Sequence, residues 1–155
     1  MSDKKVVVIQ PGEYPVVPEK RTQTLKKVLR NPATVKAAEK VLEKSSTILR
    51  DGVLASLPRL EAAGLDASKV YQASHEIRGL AGNANLPAAA KIASLLCGYL
   101  DAIMRAGKEP DAAVVRLHIA SIGHAARATD QASILGEQVT RELSALVDRK
   151  LAEIA

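Results

Sequence analysis

His75, Arg78, Gly79 and Gly82 fall close together in Val70-Tyr71-Gln72-Ala73-Ser74-His75-Glu76-Ile77-Arg78-Gly79-Leu80-Ala81-Gly82-Asn83-Ala84. A neutral imidazole nitrogen is a competent nucleophile near neutral pH, and a guanidinium one helical turn away is a planar cation suited to phosphoryl oxygens. At about 100° per residue, Val70, Ile77, Leu80, Ala81 and Ala84 gather on one side of a helix. His75 lies roughly 140–200° from all of them except Ala81, which sits nearer the boundary. A histidine on an apolar stripe is ordinarily a core residue; this one points away from the stripe and should face solvent. Tyr71, Gln72, Arg78, Gly79 and Gly82 stand three, four or seven residues from it, which surrounds the imidazole on the same face. Two of those neighbours are glycines. An exposed glycine in mid-helix costs about 1 kcal/mol relative to alanine, and on a solvent face no tight helix packing offsets that. The physical use is a bare patch that lets another macromolecule come within bonding distance of the imidazole while Arg78 holds an anion. That pattern describes phosphoryl handling.

The segment His75-Glu76-Ile77-Arg78-Gly79-Leu80-Ala81-Gly82-Asn83-Ala84-Asn85 resembles the signature of the histidine-containing phosphotransfer (HPt) domains of two-component phosphorelays. That signature is His-x-x-Lys-Gly followed by a small residue and usually another glycine. The resemblance supplies His75 as phosphoacceptor, Arg78 where the family usually has lysine, Gly79 directly, and Gly82 at the second small position. Asn85 departs from the frequent final glycine. More loosely the resemblance extends over about residues 32–128, as a helical bundle with the acceptor on a middle helix. It implies that His75 takes a phosphoryl group from the aspartyl phosphate of one receiver domain and passes it to the aspartate of another. The partners it implies are response-regulator receiver domains and a hybrid histidine kinase, with Mg²⁺ and acidic residues supplied by the receiver. Arg78 would stabilise phosphoryl charge, and Tyr71, Gln72, Gly79 and Gly82 would form the docking face. The chain is then a phosphoryl carrier with no cofactor of its own, not a self-sufficient enzyme.

Other chemistries find less support. No G-x-x-x-x-G-K-[ST] loop occurs among the nine glycines, and 155 residues leave no room for an additional ATP-binding α/β domain, so a phosphoryl donor must be external. His118 falls among Val114, Val115, Leu117, Ser121 and Ile122 and reads as a hydrogen-bonded, partly buried histidine. His124 lies nearer the edge of that face and reads as surface structure. The histidines lack metal-ligand spacing, and the single cysteine, Cys97, sits in the apolar string Leu95-Leu96-Cys97 as an inert core thiol, so no metal site is expected. Phe and Trp are absent and Tyr occurs three times, which removes the stacking platforms of single-strand and RNA modules. The competing class is a non-enzymatic helical binding module. Residues 1–50 hold 11 Lys or Arg against 5 acids and the remainder 11 against 12, so Lys20, Arg21, Lys26, Lys27 and Arg30 could contact DNA phosphates or an acidic protein. A solvated face is the plainer account of them, and no helix-turn-helix emerges, so nucleic acid is not an expected partner.

The elements that must position His75 are helical. From Arg21 onward Ala, Leu, Lys and Glu dominate, with apolar residues at three- and four-residue spacing, and the expected class is all-α. A short basic helix fits Thr22–Leu29. Asn31-Pro32 opens a second that runs to about Ala63 with Gly64 as its stop, although Asp51-Gly52 and Pro58 are positions where it could bend or split. Asp66 caps a helix from about Ala67 to Ala84, and Pro87 starts another reaching Ala106 before Gly107. Glu109-Pro110 opens a last helical stretch; about 45 residues would extend roughly 68 Å, so a break is placed around Ala128 to Gln131. Short connections favour an antiparallel four-helix bundle with additional N- and C-terminal helical segments.

Residues 1–20 carry three prolines and one isolated β-branched run, Val6 to Ile9, and read as an extended arm in front of an HPt-like bundle over 21–155. No apolar run approaches the roughly 20 residues of a bilayer span, and Met1 to Val8 lacks the features of a secretory signal. The expectations are therefore a cytoplasmic protein with no membrane partner, monomeric in preference to dimeric.

Overall fold

Caps and prolines mark the helix starts across the described residues, 18–128 and 134–153 of a computed structural model. The fold is an all-α helical bundle. Its helices among those residues are α1 (Glu19–Arg30), α2 (Pro32–Ala62), α3 (Ala67–Asn83), α4 (Pro87–Arg105), α5 (Ala112–Arg127) and α6 (Ile134–Ala152). Asn31 Oδ1 accepts from the Ala33 N–H at 2.9 Å, with Pro32 as first helical residue, as the sequence leads one to expect. Asp66 Oδ1 accepts from the Lys69 N–H at 3.1 Å, and Asp111 Oδ1 from those of Ala113 at 2.8 Å and Val114 at 3.2 Å. These donors hold both carboxyls below their usual pKa, the Lys69 and Val114 backbone N–H groups being the largest causes. Gly64 (φ +60°) and Gly107 (φ +63°) take the left-handed conformation just past α2 and α4.

One boundary differs from expectation. α1 starts at Glu19, so Glu19 and Lys20 form its first turn instead of ending an arm; residues 1–17 of that arm lie outside the described residues. α2 runs unbroken through Asp51-Gly52 and Pro58 to Ala62, the course expected for it. Local breakers lose there because Val53, Leu57 and Leu60 are buried on one face, and Gly52 sits where an added Cβ would meet Leu80 Cδ1 at 3.6 Å. By contacts the chain forms two compact units, divided in sequence after Val41. α1 has no buried residue. The α5–α6 break begins at Ala128, the C-cap of α5; residues 129–133 lie outside the described residues.

From Leu42 onward one core forms, and α4 is its centre, packing against α3, α5 and α6. Eight α4 residues are buried: Ala89, Ile92, Ala93, Leu96, Cys97, Tyr99, Leu100 and Ile103. Among the described residues α4 is long and apolar enough, by composition, to cross a bilayer, although Lys91, Asp101 and Arg105 interrupt it; its burial is that of a core helix. Each fully buried Leu or Ile contributes about 1.5–3 kcal/mol relative to exposure. α6, expected as an addition to the bundle, places Leu143 and Val147 in the same core. Polar ties complete the frame. The Ser46 hydroxyl donates to the Ala84 carbonyl at 3.0 Å, Arg50 Nη2 to that of Ala128 at 2.9 Å, and the Asp111 N–H to the Tyr99 hydroxyl at 2.8 Å. Cys97 is buried as expected, and burial pushes its thiol above the ordinary pKa.

His118 is fully buried on α5, beyond the partial burial its spacing suggested. Its Nδ1–H donates to the Val114 carbonyl at 2.8 Å, while Nε2 meets no partner among the described residues. Burial lowers its pKa below the ordinary 6.5, outweighing the opposite effect of that hydrogen bond. As pH falls below 6.5 the unfolded chain takes up a proton that the folded chain still refuses. Stability is therefore complete above that pH and declines through the window down to the lower folded pKa. Melting temperatures recorded from about pH 7 to about pH 5 should fall in the native chain and fall less steeply in His118→Leu. Parallel decline in the two would assign the acid sensitivity to other groups.

Candidate functional site

The helix carrying His75 is held at both ends. Asp66 caps its start, and at its end the Ala84 N–H donates to the Leu80 carbonyl at 2.9 Å while the Leu86 N–H reaches back to that of Ala81 at 3.1 Å. Between them Asn85 adopts φ 56°, the left-handed position that glycine most often fills in such a stop. Asn85 thus performs locally what the absent glycine would, and Leu86 is fully buried behind it. Val70, Ala73, Ser74, Ile77 and Ala81 form the buried face of α3. Leu80, placed with the core by its spacing, is half-buried against it.

His75 is exposed, opposite that face. Arg78 Nη2 lies 3.1 Å from His75 Nδ1, and the Tyr71 ring stands 5.9 Å from the imidazole, centroid to centroid, tilted by 32°. A guanidinium has no acceptor, so Arg78 donates and Nδ1 accepts, which places the imidazole proton on Nε2 in this arrangement. Tyr71 and Arg78 are half-buried, so ordered packing supports each side of the exposed ring. Gly79 and Gly82 are exposed, and a Cβ added at either would meet nothing within 4 Å. Neither glycine is there to admit a neighbouring helix. The Asn83 side-chain amide donates to the Gly79 carbonyl at 3.0 Å, satisfying backbone beside the bare patch.

Of the sequence-selected residues, the structure brings Tyr71 and Arg78 to the imidazole and leaves Gly79 and Gly82 as open surface on its helix. Gln72 is exposed one turn earlier and lines a shallow cleft with Arg59, Ala62, Ala63 and Lys69. Three further features escaped the sequence reading. Glu76, next to His75, is paired with Arg59 at 3.2 Å, an exposed bridge of small energetic worth that gives the Glu76 carboxylate a partner across to α2. Ser74, on the other side, is fully buried and its hydroxyl finds no partner among the described residues. Gly98 on α4 is another exposed helical glycine with open space around it, and it follows Cys97, whose thiol lies 3.9 Å from the Tyr71 carbonyl. The propensity cost that singled out Gly79 and Gly82 applies equally to Gly98 and could have found it.

Chemically, the site offers a solvent-facing nucleophile, one cation in contact with it, and a floor without side chains along the same helix. Among the described residues no group of three His, Cys, Asp or Glu side chains is placed to hold a metal ion. His124 is exposed on α5 and has no part in this arrangement. Comparison of the chain with protein-family models, with curated proteins and with solved structures finds no match to any of them.

Proposed function

We propose that the chain is a histidine phosphotransfer protein, in which His75 receives a phosphoryl group from a receiver-domain aspartyl phosphate and relays it to another receiver aspartate. The observation that carries this reading is the exposed His75 imidazole with Arg78 Nη2 3.1 Å from Nδ1, beside two glycines whose Cβ positions are empty. In the resting chain the guanidinium occupies the Nδ1 lone pair. Phosphoryl oxygens are stronger acceptors, so docking of the donor draws Arg78 onto them and releases the ring to present a lone pair. The imidazole nitrogen then forms the N–P bond as the P–O bond to aspartate breaks. The leaving electron pair returns to the carboxylate, and the ring proton passes to water. The reverse sequence on a second receiver forms P–O and breaks N–P. Positioning and charge stabilisation dominate such transfers, and this chain supplies one nucleophile and one cation toward them. The receiver would bring the Mg²⁺ and acidic residues, and a kinase would charge that receiver.

The test is a relay in two steps. Radiolabelled phosphate on a panel of receivers should move to this chain as an acid-labile, base-stable adduct and from it to an unlabelled receiver. Arg78→Ala should slow the first step by about a hundredfold, the scale of removing one charge-stabilising donor, with Arg78→Lys retaining more of the rate. Wild-type speed in Arg78→Ala would remove Arg78 from the chemistry, and absence of any labelled adduct would remove the function.

A further inference from the structure

Among the described residues nothing buries the apolar side of α1. Leu25, Val28 and Leu29 are 56%, 48% and 69% exposed, and no residue of the helix is buried. At about 100° per residue the three fall within an arc of roughly 100°, while Lys20, Lys26, Lys27 and Arg30 occupy an arc of about 120° on the other side. Arg21 falls on the apolar side, where a long alkyl stem can lie along that surface and carry its charge outward. None of these five cations forms an ion pair among the described residues. The single acid of the helix, Glu19, is engaged by the Gln23 amide at 3.3 Å. Thr22 and Thr24 turn their hydroxyls onto the helix's own carbonyls of Pro18 and Lys20, at 3.5 and 2.9 Å, which lessens the cost of taking them out of water.

An apolar stripe bordered by cations on one short helix selects its covering surface by charge. A second copy would bring the same positive charge, since residues 1–50 hold 11 basic against 5 acidic side chains. A nucleic-acid backbone would satisfy the cations and leave the leucines in water. A bilayer rich in acidic phospholipid supplies headgroup anions and an apolar layer beneath them at the spacing of such a helix. Twelve residues, about 18 Å, are too short to span a bilayer but sufficient to lie in its interface. We propose that α1 docks the protein reversibly on an anionic lipid surface, Leu25, Val28 and Leu29 entering the interface and Lys20, Lys26, Lys27 and Arg30 meeting the headgroups. This is peripheral attachment, distinct from a membrane span, and it rests on α1 independently of His75.

The full chain would be sedimented with vesicles of phosphatidylcholine alone and of phosphatidylcholine with phosphatidylserine. Binding should require phosphatidylserine and weaken as salt is raised. Lys26→Gln with Lys27→Gln should weaken it about thirtyfold, and Leu25→Gln with Leu29→Gln by at least about tenfold. Glutamine is a good helix former and no α1 residue is buried, so circular dichroism should show all variants folded. Failure to bind phosphatidylserine vesicles would overturn the proposal. So would binding that the leucine changes leave intact and that polyglutamate competes for, which would assign α1 to an acidic protein surface. A lipid-free dimer abolished by the leucine changes would overturn it in favour of self-association. Phosphoryl acceptance by His75, read in the same preparations, reports separately on the proposed relay.

Discussion

His75→Gln is expected to abolish acceptance of phosphoryl groups from a phosphorylated receiver while changing stability by no more than about 0.5 kcal/mol. The two halves of that expectation come from different observations. His75 is exposed, so its side chain carries little packing energy; it makes a polar contact with Arg78 and a tilted ring contact with Tyr71. Glutamine retains an oxygen that can accept from Arg78 but has no ring nitrogen on which an N–P bond can form. Loss of labelling with an unchanged melting curve is the predicted pair. Full labelling of the variant would remove His75 from the relay, and an early melting transition would show that the ring supports α3.

The second large effect opposes stability to function on the glycine face. Gly79→Ala and Gly82→Ala should keep stability or raise it, each by up to about 1 kcal/mol, because alanine favours the helix and restricts the unfolded chain. The space for a methyl group exists at both positions, with nothing within 4 Å of either added Cβ. Gly79→Gln and Gly82→Leu should fold as well, yet slow transfer from a receiver by about a hundredfold, the scale of a displacement of roughly 1 Å between reacting groups. Thermal melting and transfer rate would be recorded on the same preparations. Normal melting with full-speed transfer would leave the helix as described and move the docking surface elsewhere.

Much of α3 is legible in the sequence because its determinants are local. Asp66 caps it, the three- and four-residue spacing of Val70, Ile77, Ala81 and Ala84 defines its buried face, and His75 must then lie outside. The stop near Ala84 was legible as well; that Asn85 fills the left-handed role beyond it, at a φ of 56°, was not. Determinants distant in sequence were not legible. Arg59 and Glu76 are 17 residues apart and meet because α2 and α3 share a core, which no local spacing reveals. The course of α2 to Ala62 was expected, but its reason, burial of Val53, Leu57 and Leu60 overriding the local breakers Gly52 and Pro58, is visible only in the structure. α1 presents a different difficulty. Leu25, Val28 and Leu29 have the spacing of a core helix, and spacing alone does not say what covers them; in the structure all three are exposed.

The most direct measurement of the central claim is the position of the phosphoryl group itself. After incubation with a phosphorylated receiver, the chain would be digested under mildly basic conditions that preserve phosphohistidine, and its peptides sequenced by mass spectrometry. His118 is fully buried and His124 lies on α5 away from the Arg78 contact, so the histidines differ sharply in what they can accept. The account predicts phosphate on His75 and on neither of the others. Phosphate on His124, on an aspartate or on no residue of this chain would contradict it.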